Sequence, residues 1–101
     1  MEKQFNDIVF QSVDEALGIL GSDGKSVILW LWESKRNMSR ELIPSHIGEF
    51  SKLLNETFGT GTRIIEKHIV GEIERSFGLS DGIANMSDAV QIAKQKFAPD
   101  E

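Results

Sequence analysis

Apolar side chains recur along most of this chain at helical spacing, and few stretches alternate in the manner of a strand. Phe5, Val9, Val13, Ala16, Leu17 and Leu20 share one face of a 3.6-residue repeat, with Asp7, Gln11, Asp14 and Glu15 opposite. The spacing predicts a first helix over Phe5–Leu20, with Gly18 and Gly21 near its end, where a glycine can take the left-handed cap conformation. Gly21-Ser22-Asp23-Gly24 reads as a loop whose Ser22 or Asp23 caps a second helix, about Lys25–Arg36. That segment is the ambiguous one. Val27-Ile28-Leu29-Trp30-Leu31-Trp32 is β-branched and aromatic, and propensity alone favours a strand. A lone strand leaves its backbone groups unpaired, and the one other candidate, Ile8-Val9-Phe10, lies inside the first helical pattern. A helix is therefore expected, with Val27, Ile28 and Leu31 defining its face and Leu29 and Trp30 pointing away on opposite flanks.

Asn37 to Pro44 reads as a connection with one short turn at Arg40–Leu42, and Pro44 suits a first helical turn because its missing N–H would be unpaired there anyway. A third helix is expected over Ser45–Phe58, with the stripe Ile47, Phe50, Leu53, Leu54 and Phe58, ended by Gly59. A fourth begins near Thr60 or Thr62 as cap and ends at Phe77, with Ile64, Ile65, Ile69, Ile73 and Phe77 inward. Gly78-Leu79 has the form of a glycine cap followed by an apolar residue folding back. After a loop over Leu79–Met86, Ser87 is expected to cap a fifth helix to Phe97, with Val90, Ala93 and Phe97 inward and a frayed Pro99-Asp100-Glu101 tail. The expected fold class is all-α: one domain over residues 1–101, a compact bundle of about five helices.

Composition narrows the chemistry. A chain of 101 residues is about one domain, with enough length to bury a core unaided. It contains no cysteine, which excludes disulfides, thiolate metal sites and thiol nucleophiles and suits a reducing cytoplasm, the expected location. The first residues lack the basic-then-apolar order of a signal peptide, and the six-residue apolar run is too short to cross a membrane. The net charge of −5 repels phosphate backbones and disfavours nucleic acid as a partner.

Candidate motifs are few. Gly21-Ser22-Asp23-Gly24-Lys25-Ser26 resembles a phosphate loop, but the leading glycine position is Ile19, a helix precedes it, and Asp23 would face phosphate with like charge. His46 near Glu49, and His68 one turn from Glu72, could form a metal site only if folding joined them; both histidines read more simply as surface or boundary residues, and no metal or cofactor is expected. No serine sits in a nucleophile elbow, and no catalytic residue is assigned. The third and fourth helices outline a helix-turn-helix, with Arg63, Lys67, His68 and Arg75 on the second member and Lys35, Arg36 and Arg40 as a nearby basic cluster. Glu66, Glu72 and Glu74 on the same helix oppose a DNA role, which stays the first alternative. A small-molecule or metal-binding enzyme is the second.

Two features stand out. Glu66 falls between Ile73 and Phe77 on the apolar face, so it lies either at a solvated rim or buried, accepting a hydrogen bond from a tryptophan indole or the following helix's cap. Helix two carries more apolar surface than the core defined by Val27 and Leu31 can take, so it is either a central helix wrapped by its neighbours or a self-association surface; Leu29, Trp30 and Trp32 are the candidate interface, since tryptophan often anchors protein contacts. The expected role is a non-enzymatic interaction or signalling-output module, self-associating through Val27–Trp32, with a homodimer as its form and no membrane association.

The order of features also resembles a family. Asp14-Glu15-Ala16-Leu17-Gly18 leads to Gly24-Lys25 and an apolar helix, and Glu41-Leu42-Ile43-Pro44 leads to Phe50-x-x-Leu53-Leu54. Phe58-Gly59-x-Gly61 precedes Ile65-Glu66-Lys67-x-Ile69, with a late Asp88-Ala89-Val90. Over nearly its whole length the chain resembles the Nitrosopumilus output domains of the fifth type, small archaeal helical domains. The resemblance implies a domain that occurs alone or attached to signalling modules, and it brings no catalytic residues; Trp30 and Trp32 depart from the pattern. A looser, fold-level similarity links the chain to the helical dimerisation domains of bacterial stress-response phosphatase regulators.

Overall fold

The computed structural model describes residues 2–97, and every regular element among them is helical. The α-helices are α1 (Glu2–Ala16), α2 (Gly21–Lys35), α3 (Ile47–Phe58), α4 (Thr62–Phe77) and α5 (Met86–Phe97). Tight 3₁₀ turns at Leu17–Leu20, Arg40–Leu42, Pro44–His46 and Gly59–Gly61 join them. The helices are thus not five rods on loops. They merge into three runs, 2–35, 40–77 and 86–97, the second broken only at Ile43.

The all-α expectation holds, and the Val27–Trp32 segment is helix. Several boundaries differ for local reasons. The loop expected at Gly21–Gly24 is the first turn of α2. Gly21 adopts φ 78°, ψ 167°, a region that only glycine enters cheaply, so the chain turns at one residue and coils at once. Neither Ser22 nor Asp23 caps α2, which has no side-chain cap. Asn37, the one non-glycine residue at positive φ among those described (56°), closes α2 in the left-handed region that asparagine tolerates. Neither Thr60 nor Thr62 caps α4. Thr62 is buried and its hydroxyl donates to the Leu54 carbonyl at 2.8 Å, tying α4 back to α3. Gly78 (φ 66°) ends α4, and the Leu79 N–H donates to the Glu74 carbonyl at 2.8 Å, the expected glycine cap. Asn85, not Ser87, caps α5: its side-chain oxygen accepts the Asp88 N–H at 2.8 Å. The tail expected to fray lies outside the described residues.

In the packing, α4 is central, with α1 and α5 lying mainly against it and touching each other, while α3 meets α5 and α2. The core joins Val9, Val13 and Leu17 of the first run to Phe50, Leu53 and Leu54 of α3, Ile69 and Ile73 of α4, and Met86 and Ala89 of α5. Ser12 is a polar member of this layer. Its hydroxyl bonds to the Ile8 carbonyl (2.9 Å) and pairs with the Ser76 hydroxyl of α4 (2.8 Å), so its burial leaves nothing unpaired. The radius of gyration, 12.9 Å, matches the ~13 Å of a compact 100-residue domain. No helix among the described residues is long and apolar enough to cross a membrane.

Candidate functional site: the outward face of α2

The inward face of α2 is rotated from the one its apolar pattern suggests. Ile28, Leu29 and Trp32 are buried, at 0%, 3% and 0% exposure, and Leu31 is half-buried. Val27, expected inward, is 52% exposed, and Trp30 is 61% exposed. Leu29 and Trp32 are therefore core residues and not interface residues, a correction of the expected contact surface; of that trio Trp30 alone reaches solvent.

Charged residues explain the rotation. At about 100° per residue, Lys25 and Arg36 share the arc of Ile28, Leu29 and Trp32. Both reach over the core edge to carboxylates on neighbouring helices. The Lys25 ammonium donates to Asp14 of α1 at 3.2 Å. Arg36 donates to Glu49 (3.2 Å) and Glu56 (3.1 Å) of α3, with its own side chain largely covered. Long basic side chains bury their stems while their heads stay paired, so they count with the apolar arc. Trp32 completes it: its indole N–H donates to the Ser39 carbonyl at 3.0 Å and its ring meets Phe50 edge-on at 5.7 Å. The opposite stripe of Asp23, Ser26, Val27, Trp30 and Ser34 is exposed throughout. Trp30 stands in it among small side chains, with the Ser34 hydroxyl donating to its carbonyl at 2.9 Å.

The basic cluster proposed for DNA is largely neutralised. Besides the two carboxylates on Arg36, Arg40 forms two hydrogen bonds with Glu33 at 3.0 and 3.3 Å. That bond holds the Glu33 carboxyl below its ordinary range and raises Arg40. A carboxyl lowered in the folded state adds stability above its unfolded pKa, and this is lost as pH falls through the folded pKa. The pair is exposed and screened by salt, so the contribution is small. Replacing Arg40 with Ala should return the Glu33 titration, followed by side-chain NMR, to the ordinary carboxylate range.

The other sites expected from sequence are dispersed. The His46 ring nitrogen Nδ1 lies 3.2 Å from the Leu42 carbonyl and His68 is exposed; no group of three metal-ligating side chains converges among the described residues. Ile64, expected inward, is 61% exposed and shares the outer side of α4 with Arg63, Lys67, His68 and Arg75. A groove of about 810 Å³ runs between α1 and the 40–42 turn, with Phe10 and Leu42 among its lining.

Glu66 is half-buried, and its carboxylate accepts the Met86 backbone N–H at 3.0 Å, the first of α5. The donor to Glu66 is thus the first N–H inside α5, one residue past the Asn85 cap, and neither indole bonds to it among the described residues. Eight residues on, Glu74 accepts the Ile83 N–H at 3.3 Å, so two carboxylates of α4 hold the connection to α5. Glu66→Ala should cost roughly 1–2 kcal/mol, the worth of a helix cap, and Glu66→Gln less, because it keeps an acceptor. Hydrogen exchange at the Met86 amide should rise in the order wild type, Gln, Ala.

No family model, curated protein or solved structure matches this chain. The functional reading therefore stands on the geometry.

Sequence reasoning missed one constellation. Arg63 and Lys67 of α4, with Glu66 and Val70, line a depression of about 280 Å³ closed by Ile83 and Ala84 of the following connection. The signal was present, since two cations one turn apart flank the one acidic residue on the apolar face. What hid it was the connection, whose path the helical pattern does not give.

Proposed function

We propose that this chain acts by contact and not by catalysis, as an interaction or signalling-output module that associates with copies of itself through the outward face of α2. The likeness to the Nitrosopumilus output domains and a cytoplasmic setting belong to the same proposal. The observation that carries it is Trp30: a large aromatic side chain, 61% exposed, on a helix whose opposite arc already fills the core. Burying an indole releases a large apolar area from water, and tryptophan is enriched among the few residues that dominate protein contacts. Val27 extends the apolar surface by one turn, and the short side chains of Ser26 and Ser34 let a second surface approach closely. A homodimer is the simplest product, since most soluble oligomers are built from identical chains.

The mass in solution, measured by sedimentation equilibrium from micromolar to millimolar, tests this. Wild type should show a concentration-dependent rise and Trp30→Ala a shift of that rise to higher concentration by about tenfold or more, as for an interface anchor. A monomer throughout the range, identical in the two proteins, would overturn the proposal.

A further inference from the structure

The geometry points to a specific acceptor for Trp30: we propose that the depression beside Arg63 and Lys67 on α4 receives the Trp30 indole of a second copy. The inference rests on self-association as proposed above and adds which surface meets α2. Val70, Ile83 and Ala84 give the depression apolar walls, and Arg63 and Lys67, both exposed and with no ion-pair partner among the described residues, stand one helical turn apart at its rim. An apolar hollow edged by cations suits the face of an indole, which attracts Arg and Lys through its ring electrons.

Charge complementarity extends beyond the ring. Asp23 lies two turns before Trp30 on the same outward stripe of α2, exposed and without an ion-pair partner among the described residues. A copy presenting Trp30 therefore brings a carboxylate along with its aromatic anchor, to a surface with two unmatched cations. The Glu66 carboxylate, also in the lining, does not cancel them, since the cations outnumber it and one of its oxygens already holds the Met86 N–H. Its second oxygen accepts from no donor among the described residues and is available to the indole N–H, which can only donate. Each copy carries both a plug and a socket, on different helices.

This arrangement separates cleanly from a contact in which two α2 faces meet each other. Chains carrying Trp30→Ala keep the depression and lack the plug; chains carrying Lys67→Glu keep the plug and lose the depression's charge. Both positions are exposed, so helical circular dichroism and melting temperature should match wild type. By sedimentation, each variant alone should associate about tenfold or more weakly than wild type, as for loss of an anchor or a facing charge. Mixed in equal amounts, the two should form a 1:1 complex, because one intact plug meets one intact socket. In a single chain, Asp23→Lys combined with Lys67→Glu should recover part of the association that either change removes. If Trp30→Ala weakens association and Lys67→Glu does not, or if the mixture stays as weak as its components, the socket is elsewhere and this inference fails while self-association through α2 stands. If wild type is a monomer at all concentrations, both fail together.

Discussion

Replacing Trp32 with alanine should remove roughly 3–5 kcal/mol of folding stability, the range for truncating a buried aromatic side chain. Small domains hold only about 5–15 kcal/mol in total, so the variant should melt on the order of 20 °C lower or fail to fold. The cost has two sources. Trp32 is fully buried at the junction of α2 and α3, where its ring packs edge-on to Phe50, and its removal leaves a cavity. Its indole also donates to the Ser39 carbonyl just before the 40–42 turn, and losing that bond adds less, because the carbonyl keeps the Leu42 N–H at 3.0 Å. Trp32→Phe separates the two: it refills most of the volume, loses the hydrogen bond and should cost about 0.5–1.5 kcal/mol for that bond. Trp30→Ala, two residues away and pointing out, should change the monomer's stability by no more than about 0.5 kcal/mol. Urea unfolding of the three variants gives the comparison, and equal losses for Trp30 and Trp32 would contradict the orientation of α2.

The second large effect lies where α1, α4 and α5 meet. Phe5, buried near the start of α1, has its ring centroid 5.3 Å from Phe77 and 5.6 Å from Phe97; those two meet at 6.0 Å, nearly perpendicular. Three rings from α1, α4 and α5 thus lock the beginning of one helix to the ends of two others. Phe5→Ala should cost roughly 3–5 kcal/mol, of which about 0.5–1.5 kcal/mol per ring pair is beyond area burial. Because the start of α1 and the end of α5 meet in this cluster, amide exchange should accelerate most in the first turns of α1 and the last turn of α5. Phe5→Leu keeps most of the volume and should lose less than half as much. Uniform acceleration over the whole chain would show that the cluster is not a local clamp.

How far the fold could be read from the sequence varies by helix, and the reasons are physical. In α1 the polar and apolar residues are well separated, and Phe5, Val9, Val13, Ala16 and Leu17 are all buried as expected. In α2 apolar residues occur almost all round, so periodicity could not choose a face. The choice fell to Lys25 and Arg36, whose salt bridges with α1 and α3 fix the rotation, and a hydropathy pattern counts such residues against burial. The start of α2 was hidden because Gly, Ser and Asp make both loops and first turns, and only the positive φ of Gly21 separates the two. In α4, Ile64 was placed inward although it lies outside the arc of Ile65, Ile69 and Ile73, and the mixed polarity of that helix left the error unmarked. Glu66 was readable because a carboxylate amid isoleucines needs a donor, and the donor came from the first N–H of α5. The depression near Arg63 depends on how residues 78–85 cross α4, and nothing in their composition fixes that path.

The central claim is that Trp30 is the anchor of a contact between copies, and the chain's own fluorescence tests it. It has two tryptophans, so the Trp32→Phe variant leaves Trp30 as the single indole. Its emission should sit at the wavelength of a hydrated indole at low concentration and move to the blue as concentration rises, in step with the increase in mass. Emission that stays at the hydrated wavelength while the mass rises would show copies meeting without Trp30, and would contradict the account.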